Sequence, residues 1–216
     1  MQLELIFAII ILIFSVVIHE VSHGYAAEML GDPTARLSGR LTLNPLSHLD
    51  PLGSVIIPLF LVLSHSGFLI GWAKPVPYNP YNLKNAKWGE AIVAAAGPLV
   101  NIFIALIFGL VVRVSVHFSI LTPSFISIAG YVVLINVLLA LFNLIPIPPL
   151  DGSKVLKALL PFSASYKYDE FMSMFSRYGM LVSILFIFLF ISFLWRPFSI
   201  AVFYLVTLIT GLPPGF

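Results

Sequence analysis

The chain has 216 residues, of which 60% are hydrophobic and only 9% are charged, whereas roughly 25% of the residues in a soluble domain are charged. So many apolar side chains exceed what a protein of this size can bury within itself, which excludes a soluble globular protein and predicts a polytopic membrane protein in a lipid bilayer. The formal charge of +2 without a basic run argues against a nucleic-acid partner. The absence of cysteine excludes disulfides, thiol nucleophiles and cysteine-ligated metals.

Six apolar segments follow one another, separated by loops that carry most of the charges. They lie at about 3–30, 52–71, 89–116, 124–145, 178–195 and 198–212. The first run has neither a basic leader nor a small-residue cleavage site, so we interpret it as a retained transmembrane helix. The pattern predicts an all-α membrane protein with five to six membrane segments.

The first apolar run contains the motif His-Glu-x-x-His, at His19, Glu20 and His23. Residues four apart share a helix face, so both imidazoles can reach one metal ion while Glu20 handles the proton of a water molecule. Each ionisable group at membrane depth costs about 2.5 to 3.5 kcal/mol, and a bound cation would offset that cost. The alternative is a polar cluster between helices that holds no metal.

A catalytic zinc site usually takes three protein ligands, so one more must come from elsewhere in the chain. The serious candidates are His48, Asp50 and Asp151. We favour Asp151 because the prolines of 146–149 end a helix there and free the chain to turn inward. For His48 and Asp50, which lie in a polar loop, we favour a structural role such as an Asx-type turn.

Topology provides a test of this choice, because the histidine motif and Asp151 must meet on one side of the bilayer. They can meet if segments 89–116 and 124–145 cross the membrane and segment 52–71 does not. We therefore expect 52–71 to be a re-entrant hairpin, with a turn near Ser64–Gly67.

The distribution of basic residues favours the same topology. This topology places two basic residues, Arg113 and Arg196, on one side of the membrane, which we take as outside. It places nine basic residues on the other side. Under the positive-inside rule, the site then opens toward the cytoplasm of a multi-pass protein of the cell membrane. The nine are Arg36, Arg40, Lys74, Lys84, Lys87, Lys154, Lys157, Lys167 and Arg177.

A small β element is expected at the cytoplasmic face. Residues Arg36 to Asn44 alternate apolar and polar side chains, and Trp72 to Tyr78 could pair with them. Either segment could offer an open edge to an unwound substrate, although an ordinary hairpin explains the pattern equally well.

These motifs resemble the site-2 protease group of intramembrane zinc metalloproteases, and most closely its compact subgroup without PDZ or CBS domains. The resemblance implies one Zn²⁺ per chain held by His19, His23 and Asp151, with Glu20 as general base and later proton donor. It rests on three motifs in the family's order: His19 to His23, Gly97-Pro98 with Asn101, and Asn143 through Leu150-Asp151-Gly152. The stretches 39–45 and 71–77 are those of the compact subgroup.

The resemblance also implies that Asn143, eight residues before Asp151, contacts substrate near the cleaved bond. The competing interpretation is that Asn136 and Asn143 hydrogen-bond between helices.

We therefore expect a single membrane-embedded metalloprotease domain over 1–216, with its core at 3–160 and further membrane segments at 178–212. Its function would be zinc-dependent endoproteolysis in or near the transmembrane segments of membrane proteins, with or without a separate regulatory partner. The alternatives are a non-catalytic membrane protein that binds or transports metal, and an inactive protease-like scaffold. The sequence leaves the oligomeric state open.

Overall fold

The computed structural model describes residues 2–57, 60, 63, 72–85 and 87–212, and the described part is mostly helical. Short turns of 3₁₀ helix lie at Pro45–His48 and Pro80–Asn82, and π-helical turns at Pro51–Ile56 and Phe190–Leu194. The α-helices are α1 (Gln2–Met29), α2 (Thr34–Leu37), α3 (Gly89–Phe118), α4 (Pro123–Asn143), α5 (Asp151–Leu159), α6 (Phe162–Leu189) and α7 (Trp195–Thr210).

Local sequence signals explain where the long helices begin and end. Helix α3 ends where Ser119 adopts the left-handed conformation, with φ at 52°. Helix α4 begins with Pro123 at its first position, where a missing N–H costs nothing, and the Thr122 hydroxyl caps it. It ends at Asn143, shortly before the proline-rich stretch 146–149.

Helix α3 is central and contacts α1, α4, α5 and α7. Small and β-branched residues let these helices approach closely. A buried cluster joins α3, α4 and α7 through Ala105, Val133, Val137, Val202 and Val206. Large apolar side chains on α3 remain exposed, which is expected of a surface that lipid covers: Leu99, Phe103, Leu106 and Leu110.

The protein is a multi-pass membrane protein, because four described helical stretches are long and apolar enough to cross a bilayer. They are Ile6–Met29, Gly89–Phe118, Pro123–Asn143 and Leu185–Thr210. The predicted five to six membrane segments are not confirmed.

No loop separates the two C-terminal segments predicted at 178–195 and 198–212, because residues 178–210 form one continuous helical run. A π-helical turn, Phe190–Leu194, joins α6 to α7 without a loop. Pro197 does not break the run because it lies in the first turn of α7, where its missing N–H is tolerated.

The interior of the predicted re-entrant hairpin at 52–71 lies outside the described residues, except for 60 and 63. Its two ends meet. The Trp72 amide donates to the Gly53 carbonyl at 3.1 Å, and the Ser54 hydroxyl donates to the Trp72 carbonyl at 2.7 Å. The chain therefore returns to the place where the segment began.

The predicted β element is not confirmed, since residues 36–44 and 72–78 contain no strand. Arg36 belongs to α2, and Gly39 has φ at 64°, which interrupts an extended conformation. The Arg40 guanidinium donates to the carbonyls of Lys74 and Pro75 at 2.8 and 3.3 Å. A side chain thus links the two segments where backbone pairing was expected.

Candidate metal centre

The structure brings His19, His23 and Asp151 together, although 132 residues separate His19 from Asp151. Nε2 of His19 is 3.2 Å from Oδ2 of Asp151, and Nε2 of His23 is 3.3 Å from the same oxygen. One nitrogen or oxygen atom from each residue lies within 4.8 Å of the others, which is the spacing of ligands around a single ion. All three predicted ligands therefore converge.

Helix α1 supplies both histidines from one buried face. Their side chains lie one turn apart, with ring centroids separated by 4.7 Å and ring planes nearly perpendicular. His19 is 5% exposed and His23 is 8% exposed, inside a helix apolar enough to span a membrane. Two imidazoles so deeply buried need specific partners.

Asp151 is the first residue of α5 and reaches the histidines because its neighbour has no side chain. A Cβ on Gly152 would lie 2.2 Å from the carbonyl oxygen of Leu144, so α5 starts directly against the end of α4. A carboxylate must be ionised to bind a metal, and Oδ2 of Asp151 lies close enough to both histidines to share one ion with them.

The second ring nitrogen of each histidine is also engaged. Nδ1 of His23 lies 2.7 Å from the Val93 carbonyl on α3, and Nδ1 of His19 lies 2.6 Å from Oδ1 of Asn101. A carbonyl can only accept, so Nδ1 of His23 donates and the lone pair is left on Nε2. That lone pair faces the Asp151 carboxylate, whose Oδ2 is 3.3 Å from Nε2. A cation between these two hydrogen-bond acceptors would stabilise their close approach.

Gly97 leaves room for such a cation beside α3. A Cβ at this position would lie 2.6 Å from Nε2 of both His19 and His23. The backbone of α3 therefore passes next to the ligand atoms, in a space that any side chain would fill. Two imidazoles and a carboxylate match the three protein ligands of a catalytic zinc site.

The Glu20 side chain contacts the segment 72–78. Its Oε2 accepts a hydrogen bond from the Val76 amide at 3.0 Å. Val76 is buried, and the Arg40 guanidinium holds the two carbonyls before it. A backbone segment thus holds the carboxylate of Glu20, the residue that follows His19 in the sequence.

The other two ligand candidates do not join the metal group. His48 is buried, and its Nε2 donates to the Thr42 carbonyl at 2.9 Å. Oδ1 of Asp50 accepts from the amides of Leu52 and Gly53 and caps the π-helical turn. Both have the structural contacts that we favoured from the sequence.

The competing interpretation, hydrogen bonds between helices, is confirmed for Asn136 but does not fit the described bond of Asn143. The Asn143 amide donates to the Leu139 carbonyl within its own helix, whereas Asn136 is fully buried and bonds to Asn101 and Ser15. Sequence reasoning proposed interhelical bonds for Asn136 but missed its link to His19 through Asn101, and it did not single out Ser15. The signal that could have found them is the presence of polar residues inside long apolar runs.

Comparison with known proteins agrees with this description of a membrane-embedded metal site. The sequence model of Peptidase family M50 matches residues 111–188. The candidate zinc metalloprotease YwhC of Bacillus subtilis (strain 168) is 39% identical over 164 residues, which are 72% of this chain and 69% of that protein.

For two further relatives, the alignment with this chain covers a smaller share of the relative. The candidate zinc metalloprotease Rip2 of Mycolicibacterium smegmatis is 32% identical over 141 residues, 65% of this chain and 52% of the relative. Zinc metalloprotease MJ0392 of Methanocaldococcus jannaschii is 30% identical over 164 residues, 74% of this chain and 35% of the relative. No solved structure matches.

The chain therefore belongs to Peptidase family M50, the site-2 protease family that its motifs predicted. It is a metalloprotease, and the relatives named as zinc metalloproteases identify Zn²⁺ as its cofactor.

Proposed function

We propose that the protein is a zinc-dependent endopeptidase that cleaves peptide bonds in or near the transmembrane segments of membrane proteins. His19, His23 and Asp151 would hold the single Zn²⁺, and Glu20 would be the general base. The observation that carries the proposal is the convergence of these three side chains beside Glu20 on a membrane-spanning helix.

The depth of the histidines supports a substrate within the membrane. His19 lies ten residues before the end of the candidate span Ile6–Met29, or about 15 Å along the helix axis. A peptide bond must come within contact distance of the site to be cut. A substrate segment that lies in the bilayer satisfies this requirement, whereas a folded soluble protein does not.

The residues divide the chemical work between them. When bound, zinc would supply a Lewis acid and would lower the pKa of a water molecule to about 7. The Glu20 carboxylate takes the proton of the attacking water at one Oε atom and later passes it to the leaving amine. Hydrogen bonds to Nδ1 hold each histidine in place, so neither ring has to reorient during the reaction.

The cell membrane as location and the cytoplasmic opening of the site remain part of this proposal. They follow from the basic residues, which concentrate on the side where α1 ends and α3 begins. We retain Asn143 as a residue that contacts substrate, because it is half-buried at the end of α4 that leads to Asp151. A separate partner that controls access would also bind from this side.

The test compares wild type with Glu20→Gln, which keeps the size of the side chain and removes the base. Detergent-purified protein is assayed for bound zinc and for cleavage of single-span helical substrates. We expect Glu20→Gln to retain zinc and to lose cleavage by a factor of at least about 100. Glu28→Gln, eight residues further along α1 in an ion pair with Arg36, is the matched control and should cleave normally.

Two outcomes would contradict the proposal. Equal cleavage by wild type and Glu20→Gln would show that Glu20 is not the base. Zinc bound at one equivalent by a wild-type protein that cleaves no member of a broad helical panel would favour a protein that binds or transports metal.

A further inference from the structure

A chain of buried hydrogen bonds runs from the metal centre through three helices. Oδ1 of Asn101 lies 2.6 Å from Nδ1 of His19, Nδ2 of Asn101 lies 2.7 Å from Oδ1 of Asn136, and Nδ2 of Asn136 lies 2.9 Å from the Ser15 hydroxyl. Both asparagines are completely buried, and Ser15 is 4% exposed. Ser15 and His19 are one turn apart on α1, so the chain forms a closed loop through α3 and α4.

The direction of every bond in this chain is determined at its far end. Nδ2 of Asn136 also lies 2.9 Å from the Val132 carbonyl, a group that can only accept. The amide nitrogen of Asn136 must therefore face Val132, which leaves Oδ1 of Asn136 toward Asn101. Asn101 in turn presents its nitrogen to Asn136 and its oxygen to His19. Nδ1 of His19 must then carry the hydrogen, and Nε2 keeps its lone pair toward Asp151.

This chain of hydrogen bonds destabilises the folded protein unless every polar group in it has a partner. An amide buried without a partner is destabilising, and in lipid no water can replace a lost bond. Packing between the helices does not by itself require buried amides, because apolar side chains could fill the same space. The geometry of these hydrogen bonds serves a further purpose, because it connects the ligand His19 to residues that do not touch the metal site.

We infer that Asn101 and Asn136 are positioning residues of the metal centre, which hold His19 in the tautomer and orientation that offer Nε2 to the metal. This inference rests on the proposed function. Asn101 acts directly on His19, and Asn136 acts through Asn101. Ser15 completes the loop from the same helix that carries the two histidine ligands.

The test measures the affinity of the metal-depleted, detergent-purified protein for Zn²⁺ by competition with a chelator. Loss of a hydrogen-bond partner to a ligating histidine typically weakens metal binding about 10- to 100-fold. We expect a loss of this size for Asn101→Leu and a smaller loss, about 10-fold or less, for Asn136→Leu. Asn101→Asp keeps an acceptor for Nδ1 of His19 but loses the donor to Asn136, so its loss should resemble that of Asn136→Leu, about 10-fold or less.

Ser115→Ala is the matched control, because Ser115 is buried in α3 and, among the described residues, its hydroxyl bonds within that helix, to the Val111 carbonyl. Its zinc affinity should equal that of wild type. Absorption of the Co²⁺-loaded protein gives a second readout that does not depend on catalysis. We expect an altered d–d band for Asn101→Leu and a wild-type band for Ser115→Ala.

Two results would overturn the inference. One is unchanged zinc affinity of Asn101→Leu. The other is an equal loss in Asn101→Leu and Asn101→Asp, which would show that the residue serves only helix packing. Failure of the proposed function can be distinguished from failure of this inference. In that case the wild-type protein itself would bind no zinc or cleave no substrate, and substitutions at position 101 would not matter.

Discussion

The missing side chain of Gly97 determines how closely α3 can approach the two histidine ligands. The position that a Cβ would take is 2.6 Å from Nε2 of His19 and of His23, well inside van der Waals contact. Both imidazoles are held at Nδ1 by α3 itself, through Asn101 and Val93. They cannot move away from a larger residue 97 without losing those bonds.

Gly97→Ala should therefore abolish zinc binding while the helices still form. The added methyl group would occupy the space beside both ligand atoms, and helical propensity would if anything increase. Zinc content after gel filtration and helical content by circular dichroism are the measurements. Gly179→Ala is the control, because a Cβ there meets no atom within 4 Å. Stoichiometric zinc in Gly97→Ala would contradict the placement of the metal between these histidines.

At the scale of elements, Asp32 connects the end of α1 to the turn that leads to α3. Its carboxylate is fully buried and accepts from the Thr34 hydroxyl at 2.6 Å, the Asn79 amide at 2.7 Å and the Asn82 side chain at 2.7 Å. Burial alone would raise the pKa of Asp32, but these hydrogen bonds outweigh it and hold that pKa below its ordinary value.

This lowered pKa predicts how the stability of the connection depends on pH. The stabilisation from Asp32 should be fully present above its ordinary pKa of about 3.9, and it should be lost as the pH falls through the lowered folded-state value. Asp32→Asn would place an amide N–H against the donors and should cost about 1 to 3 kcal/mol of unfolding free energy at pH 7.

Unfolding of detergent-solubilised protein at a series of pH values would check this prediction. The stability difference between wild type and Asp32→Asn should shrink as the pH falls below about 4. Asp169→Asn is a suitable control, because Asp169 pairs with Lys157 at a more exposed position and should matter little. A variant as stable as wild type at pH 7 would contradict the role assigned to Asp32.

For the whole molecule, the arrangement of α1, α3 and α4 predicts which loops share a side of the membrane. Ala27, Leu83 and Val93 pack together, so the end of α1 and the start of α3 lie at one end of the bundle. Arg113 donates to the carbonyls of Leu208 and Ile209, so α7 ends near the end of α3. We expect these two ends of the bundle to face opposite sides.

Labelling with an impermeant thiol reagent can test this expectation directly, because the chain contains no cysteine. Ser38 follows α2 and Ser124 lies in the first turn of α4, and both are exposed. We expect Ser38→Cys to react from the cytoplasmic side of the cell membrane and Ser124→Cys from the outside. Reaction of both from one side would mean that α3 does not cross, and the reverse pattern would place the opening of the site outside.

The sequence alone determined the parts of this protein that depend on local spacing and composition. Membrane embedding followed from apolar content, and the shared face of His19 and His23 from residues four apart on a helix. The prolines before Asp151 indicated where the chain turns toward the site. The comparisons confirmed the family, while the catalytic role of Glu20 and the substrate contact of Asn143 stay predictions.

Only the tertiary structure decided the features that depend on residues far apart in the chain. The bond between Asn101 and His19 spans 82 positions, and that between Asn136 and Ser15 spans 121. No periodicity within one segment encodes such pairs. The alternation of apolar and polar residues in 36–44 predicted a strand, and that prediction is not confirmed. A period-2 pattern forms a ladder only when a backbone partner is available. Here the Arg40 side chain takes that place.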